Sequence, residues 1–158
     1  TIQEACASFQ GALRRFTFKG TFLPQNISII DDYAHHPTEI RATIETASVI
    51  AKNNIILIFQ PHRYTRLHAL WNDFIEILQD PRVKHVIVTD LYTAREDEIT
   101  GVSSERLVGE INQPHITYCP LDENFAQLSQ TLKKVIENND LVITVGAGNI
   151  THFAKNFK

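Results

Sequence analysis

"NIILIF", residues 54–59, decides the fold class. Its apolar residues are consecutive rather than alternating, so a strand built from them has no face to turn to water and must be covered on both sides. Similar runs recur at 27–30 ("ISII"), 83–91 ("VKHVIVTDL"), 115–119 ("HITYC") and 140–145 ("DLVITV"). Helical patterns separate them. Ile40, Ile44, Ala47 and Ala51 follow Pro37 and Glu39, both favoured in a first turn. Leu67, Leu70, Trp71, Phe74, Ile75 and Leu78 give the strongest amphipathic helix. Phe125, Leu128, Leu132 and Val135 give another, with shorter helices expected after Ser103 and near Asn149. "FTFKGTF" at 16–22 alternates like a strand. The whole predicts an α/β fold: a Rossmann-like, mostly parallel sheet with helices on both faces and one antiparallel edge strand.

The chain has 158 residues, 43% of them hydrophobic and 21% charged, which is ordinary for one globular domain. A formal charge of −3 makes no electrostatic case for nucleic acid or an anionic membrane. No apolar run reaches the ~18 residues of a membrane helix, and no signal peptide is visible. Cys6 and Cys119 fit no zinc or redox spacing and read as two reduced, buried thiols of a cytosolic protein. The chain begins at Thr1 and holds no methionine, so it is expected to be part of something longer.

In open α/β sheets ligands bind beyond the carboxyl ends of the strands. There the chain places "DDYAHHP", "QPHRYTR", "TDLYTARE" and "GAGN", so its unusual polar residues converge on one sheet edge. Asp31 and His36 read as loop and cap residues. Asp32, Tyr33 and His35 come off the strand end, where a ligand would lie. A metal site held by the protein is not expected: His35 and His36 are adjacent, no third ligand joins them locally, and the acids are spaced unlike those of "DHH" phosphoesterases. Arg63 and Arg66 stand three apart at an expected helix start, beside His62 and Tyr64. They form either two surface arginines or an anion pocket. "GAGNI" (146–150) lacks a third glycine and reads as a tight strand-to-helix turn. There is no phosphate loop of the G-x-x-x-x-G-K-[ST] type, so any ATP phosphates would have to be held by another domain.

"RRF" near the start, "DDYAHHPTEI", "FQPHRYTR", "LYTARE" and "GAGNI", in this order and spacing, resemble the carboxy-terminal domain of the Mur ligases of peptidoglycan synthesis. Within that family they resemble the branch that adds L-alanine to UDP-N-acetylmuramate. The resemblance implies a bacterial, cytoplasmic reaction. ATP with Mg²⁺ forms an acyl phosphate on the sugar carboxylate, the alanine amine attacks it, and phosphate leaves. It implies that residues 1–13 are the tail of a central ATPase domain, which holds most of the metal site, and that 14–158 form the amino-acid-binding domain. Arg15 would face the nucleotide phosphates and Asp32 the ribose hydroxyls, with Tyr33 beside the nucleotide. His35, His62, Arg63 and Arg66 would surround the alanine. The fragment alone would be inactive. Arg95 departs from the pattern, standing where a glycine often follows the alanine of "YxAGE". Two rivals are a peptide-recycling Mur ligase, whose second motif lacks the "QPHRYTR" form, and a non-catalytic ligand-binding module.

Overall fold

A computed structural model describes residues 15–157; the expected domain tail over 1–13 and Cys6 lie outside them. Six strands form one sheet: β1 (Thr17–Phe22), β2 (Ile27–Asp32), β3 (Ile55–Phe59), β4 (Val83–Thr89), β5 (Ile116–Cys119) and β6 (Leu141–Val145). Their spatial order is β1-β2-β6-β3-β4-β5. β1 runs antiparallel to β2, with a register shift between Phe18 and Gly20, and every other neighbouring pair is parallel. This is the expected mixed α/β sheet with its antiparallel edge.

The uninterrupted apolar strands serve two cores at once. Ile55, Leu57 and Phe59 of β3 pack into one hydrophobic cluster, and Ile56 and Ile58 into the other. Helices α1 (Pro37–Ile50), α2 (Tyr64–Ala69), α3 (Trp71–Leu78) and α4 (Ser104–Ile111) cover the first. Helix α5 (Ala126–Lys133), a 3₁₀ turn (Asn149–His152) and α6 (Phe153–Asn156) cover the second.

Three local expectations change. The long amphipathic segment is two helices, broken at Leu70, whose φ of −113° and ψ of 25° leave the helical region. Leu67 and Phe74 are two turns apart, so they keep a common face across the break, and periodicity alone does not reveal it. Helix α5 starts after Phe125, which sits at φ 56° with its ring buried, and the carboxylate of Asp122 receives the N–H groups of Ala126 and Gln127 at 2.7 and 2.9 Å. Val135 lies beyond this helix. Finally, β2 runs through Asp31 and Asp32, so both acids belong to the strand and are buried.

The strand order positions the site. After β2 and β3 the chain leaves towards one face, whereas after β6, which lies between them, it leaves towards the other. A crevice at their carboxyl ends is the geometric consequence.

Candidate functional site

Asp31 is structural, as its residue type allowed. Its carboxylate accepts from the hydroxyls of Thr144 at 2.8 Å and Thr151 at 2.7 Å, with Lys19 Nζ at 3.7 Å. It ties β2 to β6 and to the chain beyond it. His36 is a helix cap: Nδ1 accepts from the Thr38 N–H at 3.2 Å, while Glu39 accepts the N–H groups of His35 and His36 at 3.0 and 3.3 Å. Asp32 is more heavily engaged than its expected ribose role required. Oδ1 accepts from Ala34 N at 2.8 Å and Oδ2 from Phe16 N at 2.9 Å, with Arg15 Nη1 4.0 Å away. It stitches β2 to the approach into β1.

From Asp32 a line of rings crosses the crevice. The Arg15 guanidinium lies 5.7 Å from the centre of the Tyr33 ring. Tyr33 meets His35 edge-on at 5.2 Å, and His35 meets His62 at 5.6 Å. His62 stacks on Tyr92 at 5.5 Å with the planes 9° apart. Arg15, Tyr33, His35 and His62, expected from sequence, are therefore neighbours in space. Tyr92 is an addition. Past the end of β4 it pairs with His62 as a parallel bridge, accepting from Arg63 N at 2.9 Å and donating to Pro61 O at 2.8 Å. Its place on a strand end inside "LYTARE" was the available signal.

The two arginines separate. Arg66 Nη1 donates to His62 Nδ1 at 3.0 Å. Arg63 has φ 69° and precedes the helix, so the shared helical face expected of the pair does not form. Its side chain is 51% exposed and turns to Glu96, 3.9 Å away. Glu96 in turn caps α2, accepting from the N–H and hydroxyl of Thr65 at 3.0 and 2.7 Å. His62 is pushed down to about 4, first by burial and then by the charges of Arg66, His35 and Arg63. At neutral pH it is an uncharged imidazole.

The "GAGNI" loop is the tight turn expected, and its glycines have a spatial reason. Gly146 adopts φ 150°, and a Cβ there would stand 2.9 Å from the carbonyl of Gln60. A Cβ on Gly148 would collide with Gln60 Oε1 and lie 2.7 Å from the Tyr92 ring. Gln60, which sequence reasoning passed over, holds this loop: Nε2 donates to Asn149 Oδ1 at 2.7 Å and Oε1 accepts from Ile150 N at 3.1 Å. Arg95, the residue in place of a frequent glycine, has φ 68°, next to Ala94 at φ 52°. Among the described residues no group of three or more His, Cys, Asp or Glu side chains is placed to hold a metal ion.

The model of the family described as "Mur ligase, glutamate ligase domain" matches residues 14–148. A UDP-N-acetylmuramate–L-alanine ligase from Pelobacter propionicus is 42% identical over 153 residues, covering 94% of this chain and 32% of that protein. The chain thus spans about a third of the length of such relatives. Among solved structures, a UDP-N-acetylmuramate–alanine ligase from Thermotoga maritima superposes with a TM-score of 0.66 at 29% identity, covering 98% of this chain and 31% of that one. A murein peptide ligase from Psychrobacter arcticus gives 0.67 at 18% identity, covering 97% and 30%, a likeness of fold alone.

Proposed function

The chain belongs to the Mur ligase family, as its glutamate ligase domain, and we propose that it is the part of an ATP-dependent UDP-N-acetylmuramate–L-alanine ligase that binds the amino acid. On this reading residues 14–158 are the carboxy-terminal domain and 1–13 the end of a central ATPase domain. The full-length protein forms the acyl phosphate from ATP and UDP-N-acetylmuramate in the bacterial cytoplasm. This domain then brings L-alanine to it and completes the nucleotide pocket.

One observation carries the proposal: His35, His62 and Arg66, from two separate motifs, meet at the carboxyl edge of the sheet. Together they offer a guanidinium and two imidazoles to a small zwitterion. Arg66 supplies the cation for its carboxylate. Arg63, half exposed, is assigned a share in that anion site by loosening from Glu96 when alanine enters. Arg15, Asp32 and Tyr33 form the adjoining nucleotide edge, with Arg15 towards the phosphates. Mg²⁺ supplies charge neutralisation at the phosphates when bound, and no residue of this chain is assigned to it. Excluding water is the second contribution of the domain, because an acyl phosphate left open to solvent hydrolyses.

Phosphate release by the full-length ligase tests this. With ATP present, release should require UDP-N-acetylmuramate and L-alanine together, and this chain alone should release none. ATP turnover by the isolated chain would overturn the domain assignment.

A further inference from the structure

The two histidines that meet across the crevice are locked in opposite tautomers. The Tyr33 carbonyl is only an acceptor, and His35 Nδ1 lies 2.8 Å from it. Nδ1 of His35 therefore carries a proton, and in the neutral ring the lone pair sits on Nε2. Arg66 is only a donor, and its Nη1 lies 3.0 Å from His62 Nδ1. His62 is therefore protonated on Nε2, with its lone pair consumed. One ring offers a base and the other a donor, 5.6 Å apart.

Resting on the reading of the site as an amino-acid pocket, we propose that His35, through Nε2, takes the proton from the incoming ammonium group, while His62 serves only as a hydrogen-bond donor. The amino acid arrives as an ammonium ion with no electron pair to offer. One N–H bond breaks, its electrons stay on nitrogen, and the proton passes to Nε2 of His35. Nitrogen then bonds to the acyl carbon as the bond from that carbon to the phosphate oxygen breaks. The second proton leaves with inorganic phosphate.

The surroundings suit the imidazolium this creates. Glu39 Oε2 lies 3.6 Å from Nδ1 of His35. Burial works against the charge of Glu39, but the His35 N–H, the His35 charge, the His36 N–H and Arg15 outweigh it and hold the carboxyl below its usual range. An ionised carboxylate behind Nδ1 orients the ring and faces the charge it gains on taking the proton. His62 cannot replace it as a base, because Arg66 occupies its only lone pair.

Hydroxylamine separates proton removal from everything else, since it attacks acyl phosphates and is already uncharged at neutral pH. In the full-length ligase, His35→Asn and His35→Gln should lower the alanine-dependent rate about 100-fold. Hydroxamate formation from ATP, UDP-N-acetylmuramate and hydroxylamine should stay within a few-fold of the unsubstituted enzyme. His62→Gln, which keeps a donor, should mainly raise the KM for alanine. Hydroxamate retained in either His35 variant suffices to show an intact fold. Loss of both reactions in both variants, or a near-normal alanine rate, overturns the assignment of proton transfer to His35. If the unsubstituted enzyme forms no hydroxamate, the proposed function itself fails and the inference falls with it.

Discussion

Arg66 reaches back four residues and places Nη1 3.0 Å from Nδ1 of His62, fixing the tautomer of that ring and adding to the burial that keeps it uncharged. A guanidinium bound to a neutral imidazole keeps its remaining N–H groups for an anion. Arg63 is committed to Glu96 at the rim. The two arginines should therefore be unequal. Arg66→Ala is expected to lower kcat/KM for alanine in the full-length ligase by about 2–5 kcal/mol, as when one side of a buried charge pair is removed. Arg63→Ala should cost clearly less, and neither should move the KM for the UDP-sugar. Steady-state kinetics with each substrate varied in turn checks the ranking.

The depressed His62 also sets a pH dependence of folding. In the unfolded chain it titrates near ~6.5; in the folded chain it does so at about 4. Between these values the unfolded state binds more protons, so stability rises with pH across that window and falls as the solution is acidified. His85, lowered chiefly by burial, contributes with the same sign. Urea melts from pH 4 to 7 should show a shallower slope for His62→Gln, reduced but not abolished.

Asp32 should matter twice. Its two oxygens hold the N–H groups of Phe16 and Ala34, so Asp32→Ala leaves one buried and one part-buried donor unmet. A stability loss of about 1.5–3 kcal/mol is expected in a thermal or urea melt. In the full-length enzyme the KM for ATP should also rise at least about tenfold, one charge-assisted bond being worth that much. A raised KM with an unchanged melt would assign the carboxylate to the nucleotide alone.

Gly148 is needed for space rather than for backbone freedom, since its φ is −89°. Gly148→Ala pushes into Gln60 and Tyr92, and overpacking of this kind costs about 1–3 kcal/mol. The displaced Tyr92 should loosen its stack on His62, visible as an altered His62 ring signal in NMR. Full stability with an unchanged signal would show that the ring simply steps aside.

Arg95 invites the opposite change. Its φ of 68° lies where an L side chain is strained and glycine is not. Arg95→Gly should be neutral or stabilise by up to about 1 kcal/mol, the relief being offset in part by a more flexible unfolded chain. The melting midpoint measures it.

The sheet was readable in the sequence because β3 is apolar at every position and β6 at all but Thr144, and only a strand covered on both faces tolerates that. The same pattern says nothing about neighbours, so the place of β6 between β2 and β3 was not readable. His35, His62 and Arg66 could be singled out from sequence because strand ends collect ligand groups, and the structure brings the three together. Tyr92 and Gln60 were missed because their roles come from pairing beyond the strand ends and from two glycines 86 to 88 positions away in the chain from Gln60. Arg63 misled because a left-handed backbone at a non-glycine residue leaves no trace in spacing.

The position of β6 has a consequence for how the protein is made. β1 and β2 form one hairpin, and β3, β4 and β5 form a separate parallel group; among the described strands, β6 alone joins them into one sheet. During synthesis the ribosome delivers the two halves first and the joining strand last. Until residues 141–145 emerge, β2 and β3 each present an open apolar edge to the cell. A message truncated before that point should yield not a smaller working domain but two unjoined half-sheets, a substrate for chaperones and proteases.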